Sequence, residues 1–154
     1  MTNGAPRTAR MSKSLVVDQV SYNFLQRARS SYEHGNLQEA VENYRRVISR
    51  MGGYFPLANL ELSYALITLK RNDEALASLL QLANRDGARY PISYYYAARL
   101  HEFRGDLKLA ERSFAQAVTA YGATNHQFLL DVSRVRERQG DIKGALAAME
   151  EFIA

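Results

Sequence analysis

A small residue returns in this chain every 35 positions. Ala40, Ala75, Ala110 and Ala145 are evenly spaced, and Ala28, Ser63, Ala98 and Ser133 keep the same interval in a second register. A turn signal shares the period, as Gly35-Asn36, Lys70-Arg71, Gly105-Asp106 and Gly140-Asp141. Three registers held over four copies require an internal repeat. A period of this length belongs to stacked supersecondary units, each burying its apolar face against the next. Such a chain builds an elongated solenoid, not a globule wrapped around a catalytic pocket.

Each period divides into two helical halves. In the first copy, Tyr22, Phe24, Leu25, Ala28 and Tyr32 follow helical spacing up to the Gly35-Asn36 break. A second helix is expected over 37–50, with Ala40, Val41, Tyr44, Val47 and Ile48 on one face, ended by Gly52-Gly53. Later copies predict helices over 56–69, 73–84, 91–103, 107–121, 126–138 and from 142 to the end. Pro56 and Pro91 are expected at first helical positions, where a missing N–H costs nothing. Asp86-Gly87 reads as a helix stop. Ser14 is a candidate N-cap for an extension of the first helix over 14–20. No segment shows the period-two pattern of a strand.

These residues resemble the tetratricopeptide repeat, a helix–turn–helix unit of about 34 residues. The resemblance covers about residues 21–154, as repeats near 21–55, 56–90, 91–125 and 126–154, within a solenoid domain expected over 15–154, with residues 1–14 as a flexible tail or a remnant foreign to the fold. It implies an all-α, right-handed solenoid of four antiparallel helix pairs. The small positions carry over as Ala28 with Ala40, Ser63 with Ala75, Ala98 with Ala110, and Ser133 with Ala145. The bulky column behind them is Tyr44, Leu79, Phe114 and Met149. The aromatic opening each first helix carries over as Phe24, Tyr94 and, less well, Leu129. The second repeat departs from the pattern with Asn59.

Composition removes several function classes. Cysteine is absent, which excludes disulfides, thiol catalysis and cysteine-based metal sites. The three histidines, His34, His101 and His126, share no ligand spacing, so no metal is expected. No Gly-rich phosphate loop and no set of nucleophile, base and orienting residue occurs, so neither a cofactor nor catalysis is expected. The net charge of +4 is diffuse, which argues against nucleic acid as the partner. No apolar run is long enough to span a membrane. The compartment stays open: cytoplasmic by default, periplasmic or lipoprotein-anchored if a signal has been removed.

The resemblance implies protein or peptide binding, with the first helix of each repeat facing a concave groove. One inner column is Arg29, Tyr64, Arg99 and Arg134, and its neighbour is Leu25, Leu60, Tyr95 and Leu130. Tyr22, Tyr32, Tyr96 and Phe103 are further groove candidates. Tyrosine and arginine suit partner recognition, because they bring large contact area and hydrogen-bonding tips. The same arginines could instead pair with Glu61, Glu102, Asp131 or Glu137. Some family members clamp acidic chaperone C-termini with lysine and asparagine. The matching positions here hold Leu25, Arg29, Glu61, Ile92 and Tyr96, and Glu61 would repel a carboxylate.

A solenoid end needs a polar cap. The last helix instead carries Leu146, Met149, Phe152 and Ile153 on its packing side. This predicts a missing capping helix, a docked partner, or a homodimer through the C-terminal helix. A self-associating or cell-envelope assembly scaffold is therefore the alternative to a groove-binding adaptor.

Overall fold

The computed structural model describes residues 17–122 and 126–154. The expected tail over 1–14 and the Ser14 cap lie outside them. The described residues form eight α-helices: α1 (Gln19–Glu33), α2 (Leu37–Arg50), α3 (Pro56–Thr68), α4 (Asn72–Asp86), α5 (Ile92–Arg104), α6 (Leu107–Tyr121), α7 (Gln127–Arg138) and α8 (Ile142–Ile153). Sustained packing runs only between helices consecutive in sequence, closest within the pairs α1–α2, α3–α4, α5–α6 and α7–α8. The chain is thus an α-solenoid of four helix pairs, as the period predicts.

The small columns are what let each pair close. Ala28, Ala40, Ser63, Ala75, Ala98, Ala110, Ser133 and Ala145 are all buried between their helices. Serine is tolerated there because each hydroxyl finds a carbonyl: Ser63 donates to Leu60 at 2.6 Å and Ser133 to Ala145 at 2.9 Å. Behind them Tyr44, Leu79 and Phe114 are buried, whereas Met149 in the same column is exposed. Asn59, which takes the place of an aromatic residue, is buried and satisfied. It accepts from the Phe55 amide at 3.1 Å and donates to Gln81 at 2.8 Å.

The core is a ribbon in two clusters. One runs through the first two repeats to Ala97 and Leu100, and the other joins Ala98, Ala110 and Phe114 to Val132, Val135 and Ala148. Helix α5 contributes to both, so it is gripped on two sides.

The four intra-repeat turns close alike. In each, the positive-φ residue bonds back three positions and the next bonds back five, as in Gly105 to Glu102 and Asp106 to His101. That geometry needs positive φ, which Gly35, Gly105 and Gly140 supply without strain. In the second repeat Lys70 adopts it, at φ 59°.

Three boundary expectations are corrected. Pro91 is the N-cap of α5, and the helix starts at Ile92. The first helix starts at Gln19, capped by Asp18, whose carboxylate accepts from the Ser21 amide at 3.0 Å; among described residues the expected extension reaches back only to 19. That bond, with the Ser21 hydroxyl and Arg50 adding to it, holds the Asp18 carboxyl well below the usual carboxylate range. Helix α4 runs on to Asp86, past the expected 84, and ends at the expected Asp86-Gly87 stop, with Gly87 as its C-cap at φ −56°. A Cβ on Gly87 would collide with the Tyr94 ring.

Candidate partner-binding groove

The first helices α1, α3, α5 and α7 bring the expected column to one face, where side chains 32 positions apart meet across repeats. Arg29 on α1 forms a bidentate pair with Glu61 on α3, Nε at 3.0 and 3.1 Å and Nη2 at 2.8 Å. Tyr64 on α3 meets Tyr96 on α5 edge to face, ring centroids 5.2 Å apart. Arg134 on α7 reaches back to Glu102 on α5 at 2.9 Å and to Asp131 at 2.7 Å, and Arg138 joins Glu102 at 3.0 Å. Arg134 thereby holds the Glu102 carboxyl below its ordinary value.

Two of the three column arginines are therefore engaged by the protein itself. Arg99 differs. Among the described residues it has no carboxylate within salt-bridge reach. Its Nη1 donates to the Tyr95 hydroxyl at 3.1 Å, with the guanidinium 6.0 Å from the same ring. Asp131, which stands where Glu61 stands relative to Arg29, has turned to Arg134.

Two hollows lie along this face. The first, about 330 Å³, is lined by Arg29, Tyr32, Glu33, Tyr44, Glu61 and Tyr64. Its floor is the Tyr44 hydroxyl, pushed above its ordinary range by burial and by Glu61. Burial, with Tyr96 adding to it, pushes the Tyr64 hydroxyl up to about 12, so both phenols stay neutral donors. The second, about 690 Å³, is lined by Ile67, Lys70 and Asn72 from the second repeat and by Tyr95, Tyr96, Arg99, Leu100 and Phe103 from α5. Phe103 stands 78% exposed at its edge. This cleft joins apolar surface to two cations, Lys70 and Arg99, neither of which has a carboxylate partner among the described residues.

The structure thus gathers Tyr95, Tyr96, Arg99 and Phe103 into one cleft, links it through Tyr64 to the hollow of Arg29 and Tyr32, and leaves Arg134 ion-paired beyond. Tyr22 is exposed on α1 outside both hollows. Leu25 is corrected: at 4% exposure it belongs to the core and offers a partner no surface. Leu60 of the same column is core as well. The sequence reading missed Lys70 and Ile67. The signal for Lys70 was visible, since it occupies the turn column where the other repeats have glycine.

Among the described residues no group of His, Asp or Glu could hold a metal ion, and no helix is long and apolar enough to cross a membrane. His34 bonds its own helix through Ser30, and His101 is buried in α5.

Comparisons with known proteins agree with this architecture. No curated protein matches the sequence. Solved structures do match in fold. A crystal structure of MamA superposes with a TM-score of 0.75 at 16% identity, over 86% of this chain and 71% of that one. MamA from Desulfovibrio magneticus RS-1 gives 0.71 at 18%, over 94% and 77%. The first TPR domain of Spaghetti (RPAP3), solved with the HSP90 peptide SRMEEVD, gives 0.69 at 14%, over 82% and 98%. The tetratricopeptide repeat-like domain profile matches residues 18–134, three-quarters of the chain. With that match spanning α1 to most of α7, the chain belongs to the tetratricopeptide repeat-like family.

Proposed function

We propose that this protein is a non-catalytic interaction module that takes an extended partner segment along the face of its first helices, anchored in the α5 cleft. The observation that carries this reading is the pairing of Lys70 and Arg99 across an apolar cleft edged by exposed Phe103. An unpaired guanidinium beside aromatic surface suits a carboxylate flanked by an apolar side chain. Lys70 strengthens the case, because its backbone is held in a conformation that costs energy for any residue but glycine. A locally unfavourable choice at a cleft is where a binding role is expected.

That RPAP3 was solved with an acidic peptide supports the same class of ligand. The first-repeat hollow of this chain is unsuited to a free carboxylate, because Glu61 already fills the Arg29 fork. The acidic group is therefore assigned to the second hollow. Arg29 and Arg134 set the spacing of the repeats while the partner passes over them.

The test is selection from a displayed library of random peptides, followed by fluorescence anisotropy on the selected sequences. The reading expects acidic and apolar residues together, and weakening by about fivefold or more for Arg99→Ala and for Phe103→Ala. Peptides indifferent to both changes but lost on Gln116→Arg, on the outward side of α6, would move the site to the convex surface.

A further inference from the structure

The two ends of the solenoid are built differently, and the difference assigns a second interface. At each internal junction a first helix covers the preceding repeat with four columns. In α3 these are Ala58, Glu61, Leu62 and Ala65; in α5, Ser93, Tyr96, Ala97 and Leu100; in α7, Phe128, Asp131, Val132 and Val135. All are buried or half-buried. In α1 the same columns hold Asn23, Gln26, Arg27 and Ser30, all exposed. The outward face of α1 is thus polar in all four columns that are buried or half-buried at the internal junctions.

The other end has no such substitution. The face that α2, α4 and α6 present to the next repeat appears on α8 as Ile142, Leu146, Met149 and Ile153, exposed by 56, 56, 43 and 77%. Tyr44, Leu79 and Phe114, the counterparts of Met149, are covered by a following helix. A second molecule cannot supply that helix by head-to-tail stacking, because its α1 offers polar Asn23, Gln26 and Arg27. Head-to-tail stacking of copies would bury polar α1 side chains against this face, whereas pairing two α8 faces sets apolar against apolar.

The residues of that face are spaced four, three and four apart, the seam of a two-helix coil. Their order also reads well against itself in reverse. An antiparallel pair centred between Leu146 and Met149 sets Leu146 against the second copy's Met149 and Ile142 against its Ile153. Beside the seam, on the side away from α7, lie exposed Lys143 and Glu150, neither ion-paired among the described residues. Reversal brings Lys143 next to the second copy's Glu150, twice per pair, whereas parallel pairing would place the two columns on opposite flanks and leave these charges unmatched.

We propose that this protein forms a two-fold homodimer through antiparallel α8 helices, with Ile142, Leu146, Met149 and Ile153 as the seam and Lys143–Glu150 fixing its direction. Helices α6 and α7 lie between the α5 cleft and this seam, so a dimer presents two grooves to a partner.

The full chain is followed by sedimentation across a micromolar concentration series. The expected result is a reversible monomer–dimer equilibrium that Leu146→Glu with Met149→Glu shifts at least tenfold toward monomer, with helical circular dichroism unchanged. Lys143→Glu and Glu150→Lys should each weaken the dimer several-fold, and the double reversal should restore it. A wild-type chain monomeric throughout overturns the proposal. So does a dimer untouched by the seam substitutions, and single reversals that the double variant does not rescue overturn the antiparallel pairing.

Discussion

Replacing Lys70 by glycine should make the protein more stable and its cleft weaker. Lys70 holds φ 59° in the turn between α3 and α4, where Gly35, Gly105 and Gly140 hold 79°, 84° and 80°. A side chain in this region costs about 1–2 kcal/mol. Glycine returns that cost but gives back about 0.5–1 kcal/mol through the greater freedom of the unfolded chain. The turn bonds from Lys70 to Ile67 and from Arg71 to Leu66 are backbone bonds, so glycine keeps them. The net gain is up to about 1.5 kcal/mol and centres on about 0.75 kcal/mol, or a rise of about 2–3 °C in melting temperature at that centre for a domain of this size. Urea denaturation and calorimetry of Lys70→Gly read it. The reverse change, Gly35→Lys, isolates the backbone term, because a Cβ there meets only open space. It should cost a similar amount. If Lys70→Gly is neutral or destabilising while Gly35→Lys is tolerated, the strain argument fails. Lys70→Asn separates the two roles, since asparagine tolerates the turn but brings no charge to the cleft.

Further outcomes follow from the packing. Ala110 lies fully buried between α6 and α5, so Ala110→Leu should cost about 1–3 kcal/mol by overpacking, read as a lower denaturation midpoint. Gly87→Ala should destabilise by a comparable amount because Tyr94 occupies the space a Cβ needs, and Tyr94→Leu should relieve the loss. Burial pushes the His101 imidazole below its ordinary 6.5, so the unfolded chain binds its proton first. Stability from this residue is full above that pH and falls as pH drops below it. His101 Nδ1 is buried without a partner, and the matching Leu66 is core, so His101→Leu should flatten that acid decline and add about 1 kcal/mol. Arg29→Ala should lower stability by about 1 kcal/mol by leaving half-buried Glu61 without its cation, yet change affinity at the α5 cleft little.

Most of the fold was legible because the repeat constrains it four times over. The small columns, the turns and the pairing of helices all follow from one interval. What the period cannot show is which way an ionisable side chain turns. Arg29, Arg99 and Arg134 are equivalent in sequence, but Glu61 and Glu102 engage two of them, and Asp131 chooses Arg134 over Arg99. That choice depends on rotamers and distances. Leu25 was misplaced because it shares a column with Tyr95, which lines the cleft, whereas in the first two repeats that column holds leucines buried in the core, a difference the period alone does not show. Asp86-Gly87 ends its helix as read, but the second constraint on Gly87, the Tyr94 ring, comes from the next repeat and was not legible from the dipeptide. Lys70 needed no structure to be noticed, only the question of why one turn in four lacks glycine.

The central claim is that the face of α5 is where a partner binds. The most direct test is amide chemical-shift mapping of the labelled chain during titration with a library-selected peptide. The account predicts that the largest changes cluster at Ile67, Lys70, Tyr95, Tyr96, Arg99, Leu100 and Phe103, spreading toward Tyr64. Changes confined to the outward faces of α2, α4 and α6, or to the exposed seam of α8, would contradict it.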